Sequence, residues 1–291
     1  MGNTKTPMIC SLAMMVINLG LKALFIFVFD MGVLGAGLST LISSVFIGIA
    51  MVALLTHKDS KIHIEKLFYP DLKADLIKTI TNVGLPNGIE SGMFQFGILL
   101  IQRLNSSLGT SALAANAVAK AFAPIAYVNC QCFGFVLVTI VGQCVGAGKI
   151  DQVKMYTKHI MKLNYTLSGI ITIICIALSG VFVSFYKNLS PETIDMALSV
   201  MRLYYAMVAL FYPLAFVLPY TLRGAGDTKY PMIVSFASMF GIRIGLAYLF
   251  VLVFNLGLFG IWLAMVLEWV IKGGIFLSRY FNGKWQNIKV I

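Results

Sequence analysis

The sequence LRGAGDTKYPM, residues 222–232, decides the fold, and it is a polar segment between two long apolar runs. Residues 2–8, GNTKTPM, match residues 226–232, GDTKYPM, at five of seven positions. The two copies lie 224 residues apart. A match at that distance indicates an internal repeat, and a repeat has to be recognised before a fold is assigned.

The composition places the chain in a membrane. Hydrophobic residues make up 59% of its 291 residues, charged residues only 11%, and the mean hydropathy is +0.89. Soluble domains are nearer about 45–50% apolar and about 25% charged. The net charge of +11 is therefore interpreted as lysine-rich cytoplasmic loops rather than as a surface for nucleic acid.

Eight apolar runs are long enough to cross a bilayer, which takes about 20 residues for a helix. They are residues 7–29, 33–55, 81–104, 112–145, 163–186, 194–222, 230–254 and 258–280. Lysine and arginine concentrate on one side of these spans, and that bias predicts cytoplasmic termini. Prolines inside the spans, at 86, 124, 213 and 219, predict bent helices.

Residues 56–80 form the connector between the second and third spans. Ile64, Phe68, Leu72, Leu76 and Ile80 recur every four residues, which predicts an amphipathic helix. Two placements remain open for it: flat in the membrane interface, or packed on the cytoplasmic loops.

Enzymatic and metal chemistry find no support in the sequence. The five cysteines lie in apolar runs, the three histidines lie in or beside predicted loops, and no zinc-type spacing appears. No nucleophile elbow or pair of catalytic acids is present either. We expect neither an enzyme nor a cofactor, and no metal apart from Na⁺ as a coupling ion.

Four segments carry a resemblance to a known family. They are 222–232 (LRGAGDTKYPM), 141–148 (VGQCVGAG), 84–91 (GLPNGIES) and 108–116 (LGTSALAAN). In their order and separation they resemble the MATE (multidrug and toxic compound extrusion) transporters, over essentially the whole chain. The family has twelve helices in two pseudo-symmetric lobes of six, with the polar motif before helices five and eleven.

The resemblance implies an all-α polytopic membrane protein of about eight transmembrane helices. Residues 1–55 correspond to the last two helices of the N-terminal lobe, 56–80 to the connector, and 81–291 to the six-helix C-terminal lobe. The repeat predicts that about 145 residues precede Gly2 in a complete member. A truncated gene, a second chain supplying those helices, and a partial sequence all remain open.

Ionisable residues within spans are functional candidates, because each costs about 2.5–3.5 kcal/mol on insertion scales. Glu90 leads them, since it follows Pro86 by one turn and the family uses an acid in this helix for cation coupling. We expect Glu90 to exchange H⁺ or Na⁺ for a cationic substrate. The alternative is a structural partner for Lys120 or another interior base.

Lys120 and Arg243 are expected on the substrate path. Asn116, Tyr127 and Gln131 are expected to line a cavity, although polar contacts between helices explain them equally well. Glu268 and Lys272 are spaced i, i+4 and are expected to satisfy each other. The residues expected to anchor the cytoplasmic turn are Arg223, Gly224, Gly226, Asp227, Thr228, Lys229 and Pro231.

Three functions remain open. The first is a cell-membrane antiporter that exports organic cations in exchange for H⁺ or Na⁺ by alternating access. The second is a lipid-linked-saccharide flippase of the same superfamily, which needs a cationic cavity. The third is a truncated remnant without transport. No acid follows Asp195 in the sixth span, so the acid pair of the family's Na⁺-coupled branch is not matched.

Overall fold

The computed structural model describes residues 5–56 and 74–287, and it is almost entirely helical. Its long helices are numbered α1 to α8 in chain order. They are Lys5–Val28 (α1), Gly32–Thr56 (α2), Ala74–Ser106 (α3), Thr110–Gly146 (α4), Ile150–Ser184 (α5), Pro191–Gly224 (α6), Lys229–Leu252 (α7) and Gly257–Phe281 (α8), followed by a short 3₁₀ turn at Lys284–Asn287. This confirms the all-α membrane architecture expected from the sequence.

Seven of the described helices are long and apolar enough to cross a membrane. The remaining predicted span, at residues 81–104 in α3, is not among them. Its 33 residues would cover about 50 Å, so length is not the reason. Polar residues such as Asn87, Glu90, Gln95 and Gln102 lower its hydropathy, and all four line a cavity.

Helix α3 begins at Ala74, whereas the sequence predicted a span from residue 81. The last seven residues of the predicted connector therefore belong to this helix. The rest of the connector, at residues 57–73, lies outside the described part of the chain, so the amphipathic helix predicted there stays a prediction.

Contacts divide the chain into two units, Met1–Lys73 and Ala74–Ile291. In the first unit α1 packs along α2. In the second, α4, α5 and α6 pack together, α8 packs against α6 and α7, and α3 contacts α7 and α4. The core of this second unit contains Tyr205, Phe276, Leu137 and Met201, all less than 2% exposed.

Small polar residues explain how closely α5 packs. Asn164, Ser168, Thr172 and Ser179 recur every four to seven residues on one face, and all are buried. Asn129 on α4 donates to the Ser168 hydroxyl at 2.7 Å. Small side chains allow helix backbones to approach, and hydrogen bonds between helices then satisfy the polar atoms.

The repeat seen in the sequence is also a structural repeat. The turn between α1 and α2 has positive φ at Asp30 (50°) and Gly32 (51°), and the turn between α7 and α8 has it at Asn255 (52°) and Gly257 (54°). In each turn one backbone N–H bonds a carbonyl six residues earlier: Met31 to Phe25 at 3.0 Å, and Leu256 to Phe250 at 2.9 Å. Two helical hairpins thus have one turn geometry.

The helices accommodate their internal prolines in different ways. Helices α3 and α4 continue through Pro86 and Pro124. In α6 the hydrogen-bond pattern changes to π-helical at Pro213–Val217. Proline cannot donate a backbone hydrogen bond, so a wider turn at this point accommodates its ring.

Candidate functional site: a charged and aromatic cavity

The polar segment that opens the sequence ends α6 and begins α7. Gly226 has φ 90°, a conformation that glycine adopts without strain. The Gly226 N–H bonds the Arg223 carbonyl at 3.0 Å, and the Asp227 N–H bonds the Leu222 carbonyl at 2.9 Å. These two bonds make a Schellman cap, which satisfies the last carbonyls of a helix.

Side chains of this turn attach it to the end of α8. The Asp227 carboxylate accepts hydrogen bonds from Arg279 Nε at 3.0 Å and Nη2 at 2.9 Å. The Arg279 guanidinium also lies 4.4 Å from the centre of the Tyr230 ring. Thr228 and Pro231 are buried, whereas Lys229 is exposed at the start of α7. These contacts suit an anchoring role for this part of the segment.

Gly224 permits a close approach of α6 to α4. A Cβ atom at this position would lie 2.9 Å from both the Val138 carbonyl oxygen and the Val141 Cβ. Backbone cannot move aside as a side-chain end can. The glycine is therefore required by packing.

We expect Gly224→Ala to lower the free energy of unfolding by about 1–3 kcal/mol, the usual range for overpacking. Unfolding by sodium dodecyl sulfate in mixed micelles measures it. Gly180→Ala is the matched control, since a Cβ at Gly180 meets nothing within 4 Å. The control should be neutral or gain up to about 1 kcal/mol from helix propensity. Equal effects of the two substitutions would contradict the packing role.

A cavity of about 720 Å³ lies within the second unit, lined by five helices. Among the described residues its walls carry four basic side chains and one acidic side chain. The bases are Lys120, Arg223, Arg243 and Lys272, and the acid is Glu90. No group of three or more metal-ligating side chains gathers in the described residues. Glu90 is thus the lining carboxylate that could hold H⁺ or Na⁺.

Glu90 is paired with Arg223, the arginine of the polar segment. One guanidinium nitrogen, Nη2, donates to both carboxylate oxygens of Glu90 at 2.7 Å. Both side chains are largely buried, with 14% and 20% of their surfaces exposed. The Arg223 guanidinium also lies 5.2 Å from the centre of the Tyr220 ring. A carboxylate in α3 is thereby held by the last turn of α6.

Lys120 and Arg243 are not held by a carboxylate in this way. Lys120 Nζ donates to the side-chain oxygen of Gln102 at 2.9 Å. The Arg243 guanidinium lies 5.7 Å from the centre of the Phe94 ring. Its buried Nε has no hydrogen-bond partner among the described residues. The sequence raised a pairing of Lys120 with Glu90, and the structure does not make it.

Glu268 and Lys272 approach each other, as their spacing predicted. Their closest atoms, Lys272 Nζ and Glu268 Oε1, are 3.8 Å apart, and the same oxygen accepts a 2.9 Å hydrogen bond from Ser238. Glu268 is fully buried behind the cavity wall, while Lys272 lines the cavity and lies 4.4 Å from the centre of the Phe216 ring.

Aromatic side chains form a continuous wall of the same cavity. Tyr204 contacts the rings of both Trp262 and Trp269, with centroid distances of 5.3 and 5.7 Å. Tyr212 contacts Trp269 at 5.4 Å and stacks on Phe216 at 4.4 Å. We call these five residues the aromatic wall.

Comparison with known proteins shows the family. The profile of the MatE family matches residues 86–249, more than half of the chain. The chain belongs to the MATE family. This confirms the resemblance of the four sequence motifs, and since MATE proteins are transporters it also confirms the expectation that the chain is not an enzyme.

Individual MATE relatives extend the match over the whole chain. A probable multidrug resistance protein NorM from Thermotoga maritima is 25% identical over 100% of this chain and 62% of its own length. The uncharacterized transporter YisQ of Bacillus subtilis is 24% identical over 98% of the chain and 63% of its own length. A crystal structure of a MATE protein in complex with MaL6 superimposes with a TM-score of 0.88 at 18% identity, covering 99% of this chain and 65% of that one. The chain thus spans less than two thirds of the length of these proteins.

The structure gathers every residue that the sequence put forward for substrate or ion coupling. Those residues, which all line the cavity, are Glu90, Asn116, Lys120, Tyr127, Gln131 and Arg243. Asn116 accepts a 3.2 Å hydrogen bond from the indole nitrogen of Trp262. The lining supports a shared site, while the role of each residue in transport stays a prediction.

Sequence reasoning missed three contributions to this site. Arg223 was assigned to the anchoring turn, yet its side chain lines the cavity and holds Glu90. The spacing of Glu268 and Lys272 predicts that they satisfy each other, yet Lys272 also lines the cavity. The aromatic wall was not predicted, although Trp262 and Trp269 stand seven residues apart and therefore share a helix face.

Proposed function

We propose that the chain is the cavity-bearing part of a secondary active exporter, which moves organic molecules across the cell membrane in exchange for H⁺ or Na⁺ by alternating access. The observation that carries the proposal is the cavity, lined by polar and aromatic side chains and containing Glu90 as its acidic residue among those described. The naming of relatives as probable multidrug resistance proteins supports an export role. The lysine bias of the loops supports cytoplasmic termini.

Glu90 is the proposed coupling residue. Arg223 occupies both of its oxygens at 2.7 Å, so a proton or Na⁺ has to compete with this guanidinium for the carboxylate. Neutralising Glu90 removes the charge that holds the end of α6 against α3. Ion binding at one site therefore alters a contact between two helices, which is the kind of differential contact that a conformational change requires.

The charge of the substrate is the open part of this proposal. The sequence suggested organic cations, and that expectation stays a prediction. A cation would enter a cavity whose acidic residue among those described is already paired and whose remaining lining bases repel it. This charge balance favours the second candidate of the sequence, a flippase of lipid-linked saccharides, which needs a cationic cavity to hold pyrophosphate.

Dye export from proteoliposomes tests the proposed function. Rhodamine 123 and fluorescein share a xanthene ring and differ in charge, the first a cation and the second an anion. Liposomes containing the purified chain are loaded with either dye, and export is followed with an imposed H⁺ gradient, with an imposed Na⁺ gradient, and with neither. We expect export of at least one dye that requires one of the gradients.

A parallel sample contains the chain together with a second chain that supplies four upstream helices of a MATE protein. Export in both samples supports activity of the chain as it stands. Export only in the parallel sample shows that the activity needs a partner chain. Absence of gradient-dependent export in both samples would favour the non-transporting remnant and overturn the proposal.

A further inference from the structure

Two basic side chains without a carboxylate partner line the cavity. They are Lys120 on α4 and Arg243 on α7. Lys120 is held by the neutral amide of Gln102. Such an arrangement inside a membrane protein is unfavourable unless an anion joins it.

The acids of the described region do not fully compensate these bases. Glu90 is held by Arg223. Glu268 is fully buried, accepts a hydrogen bond from Ser238 and lies beside Lys272. Among the described residues neither Lys120 nor Arg243 forms an ion pair with a carboxylate. The cavity retains an excess of positive charge around Lys120 and Arg243.

Two hydrogen-bond donors in residues that line the cavity have no acceptor among the described residues. Arg243 Nε is buried and has no partner among the described residues, and the indole N–H of Trp269 on the aromatic wall is in the same state. Buried donors are normally satisfied, so these two donors show that the protein leaves hydrogen-bond capacity unfilled in residues that line the cavity. An oxyanion accepts hydrogen bonds and also carries the negative charge that would neutralise Lys120 and Arg243.

We propose that Lys120 and Arg243 bind the acidic group of an amphipathic organic anion, whose rings or apolar body lie against the aromatic wall. The guanidinium of Arg243 offers a planar fork suited to carboxylate, sulfonate or phosphate oxygens, and Lys120 adds a point charge. The aromatic wall presents stacked and edge-on rings to the apolar body. The proposal rests on the proposed function only in taking this cavity as the substrate site.

Equilibrium binding tests the inference without a gradient or a bilayer. Fluorescein and rhodamine 123 are titrated with the purified full chain in a non-ionic detergent, and fluorescence anisotropy gives the dissociation constants. We expect fluorescein to bind at least about tenfold more tightly than rhodamine 123. Lys120→Gln and Arg243→Gln should each weaken fluorescein binding by about tenfold, since each removes a charge-assisted contact.

Matched variants separate binding from folding. Lys162→Gln and Arg202→Gln remove exposed bases outside the cavity and should leave the dissociation constant unchanged. Lys120→Arg keeps the charge and should retain most of the affinity, whereas Arg243→Lys keeps the charge without the planar fork and should retain only part of it. Competition by 1-naphthoate and 1-naphthyl phosphate, which share a ring, distinguishes a carboxylate-bearing from a phosphate-bearing ligand.

Tighter binding of rhodamine 123, or fluorescein binding that ignores both charge-removing substitutions, would overturn the inference. Charge-selective fluorescein binding without any gradient-driven export would uphold this anion site and reject the proposed function. Export of rhodamine 123 without fluorescein binding would support the proposed function and reject this anion site.

Discussion

Replacing Glu90 with glutamine should abolish the dependence of export on an ion gradient. Glutamine nearly matches glutamate in shape but does not take up a proton at neutral pH and offers no charge to Na⁺. We expect gradient-driven dye export in proteoliposomes to fall at least about tenfold, which corresponds to about 1.4 kcal/mol at 25 °C. Dye binding in detergent should survive, because Glu90 is paired with Arg223 and not with Lys120 or Arg243.

The loss of the Glu90 charge also leaves Arg223 without its partner, so a folding defect has to be separated from a coupling defect. The double variant Glu90→Gln/Arg223→Gln removes both charges and should be more stable than Glu90→Gln alone, while export stays uncoupled. Glu192→Gln, at an exposed position at the start of α6, is the control and should export like the unmodified chain. Undiminished, still gradient-dependent export by Glu90→Gln would rule out Glu90 as the coupling residue.

Replacing Glu268 with leucine should produce the largest loss of stability. Glu268 is 0% exposed and Lys272 is 3% exposed. The substitution therefore leaves a buried lysine without its carboxylate, and its remaining contacts are with the rings of Phe216 and Phe276. Breaking a buried pair by removing one partner costs about 3–5 kcal/mol. Unfolding by sodium dodecyl sulfate in mixed micelles measures the change.

The double variant Glu268→Leu/Lys272→Leu removes both charges and should recover most of that stability, because an apolar pair of similar volume is often neutral. Glu192→Leu is the surface control and should change the free energy of unfolding by less than about 1 kcal/mol. A Glu268→Leu variant as stable as this control would show that the buried pair contributes nothing.

Local patterns predicted the local structure well. The two copies of the polar segment in the sequence predicted a structural repeat. The two hairpin turns at Asp30 and Asn255 have matching geometry. Within the described part of the chain, apolar runs predicted all seven helices that are long and hydrophobic enough to cross a membrane. These features depend on consecutive residues, so the sequence carries them directly. A membrane span was harder to predict in α3, because the polar residues that line the cavity also lower the hydropathy of this helix.

Pairings across the fold were beyond sequence reasoning. Glu90 and Arg223 are 133 residues apart, and the chain offers several interior bases as alternatives to Arg223. Residue type identified Glu90, Lys120 and Arg243 as candidates, because a charge in an apolar run is costly. Packing decides which of these charges are paired, so the partner of Glu90 and the excess charge beside Lys120 emerged only from the structure.

If the cavity exchanges an ion for its substrate through Glu90, movement of the substrate alone has to drive movement of the ion. Proteoliposomes are loaded with the exported dye, no ion gradient is imposed, and internal pH or Na⁺ is followed with a trapped indicator. Dye leaving the liposomes should bring H⁺ or Na⁺ inward, and this countermovement should vanish in Glu90→Gln but not in Glu192→Gln. Dye export with no ion movement, or equal ion movement in the Glu90→Gln variant, would rule out ion exchange through Glu90.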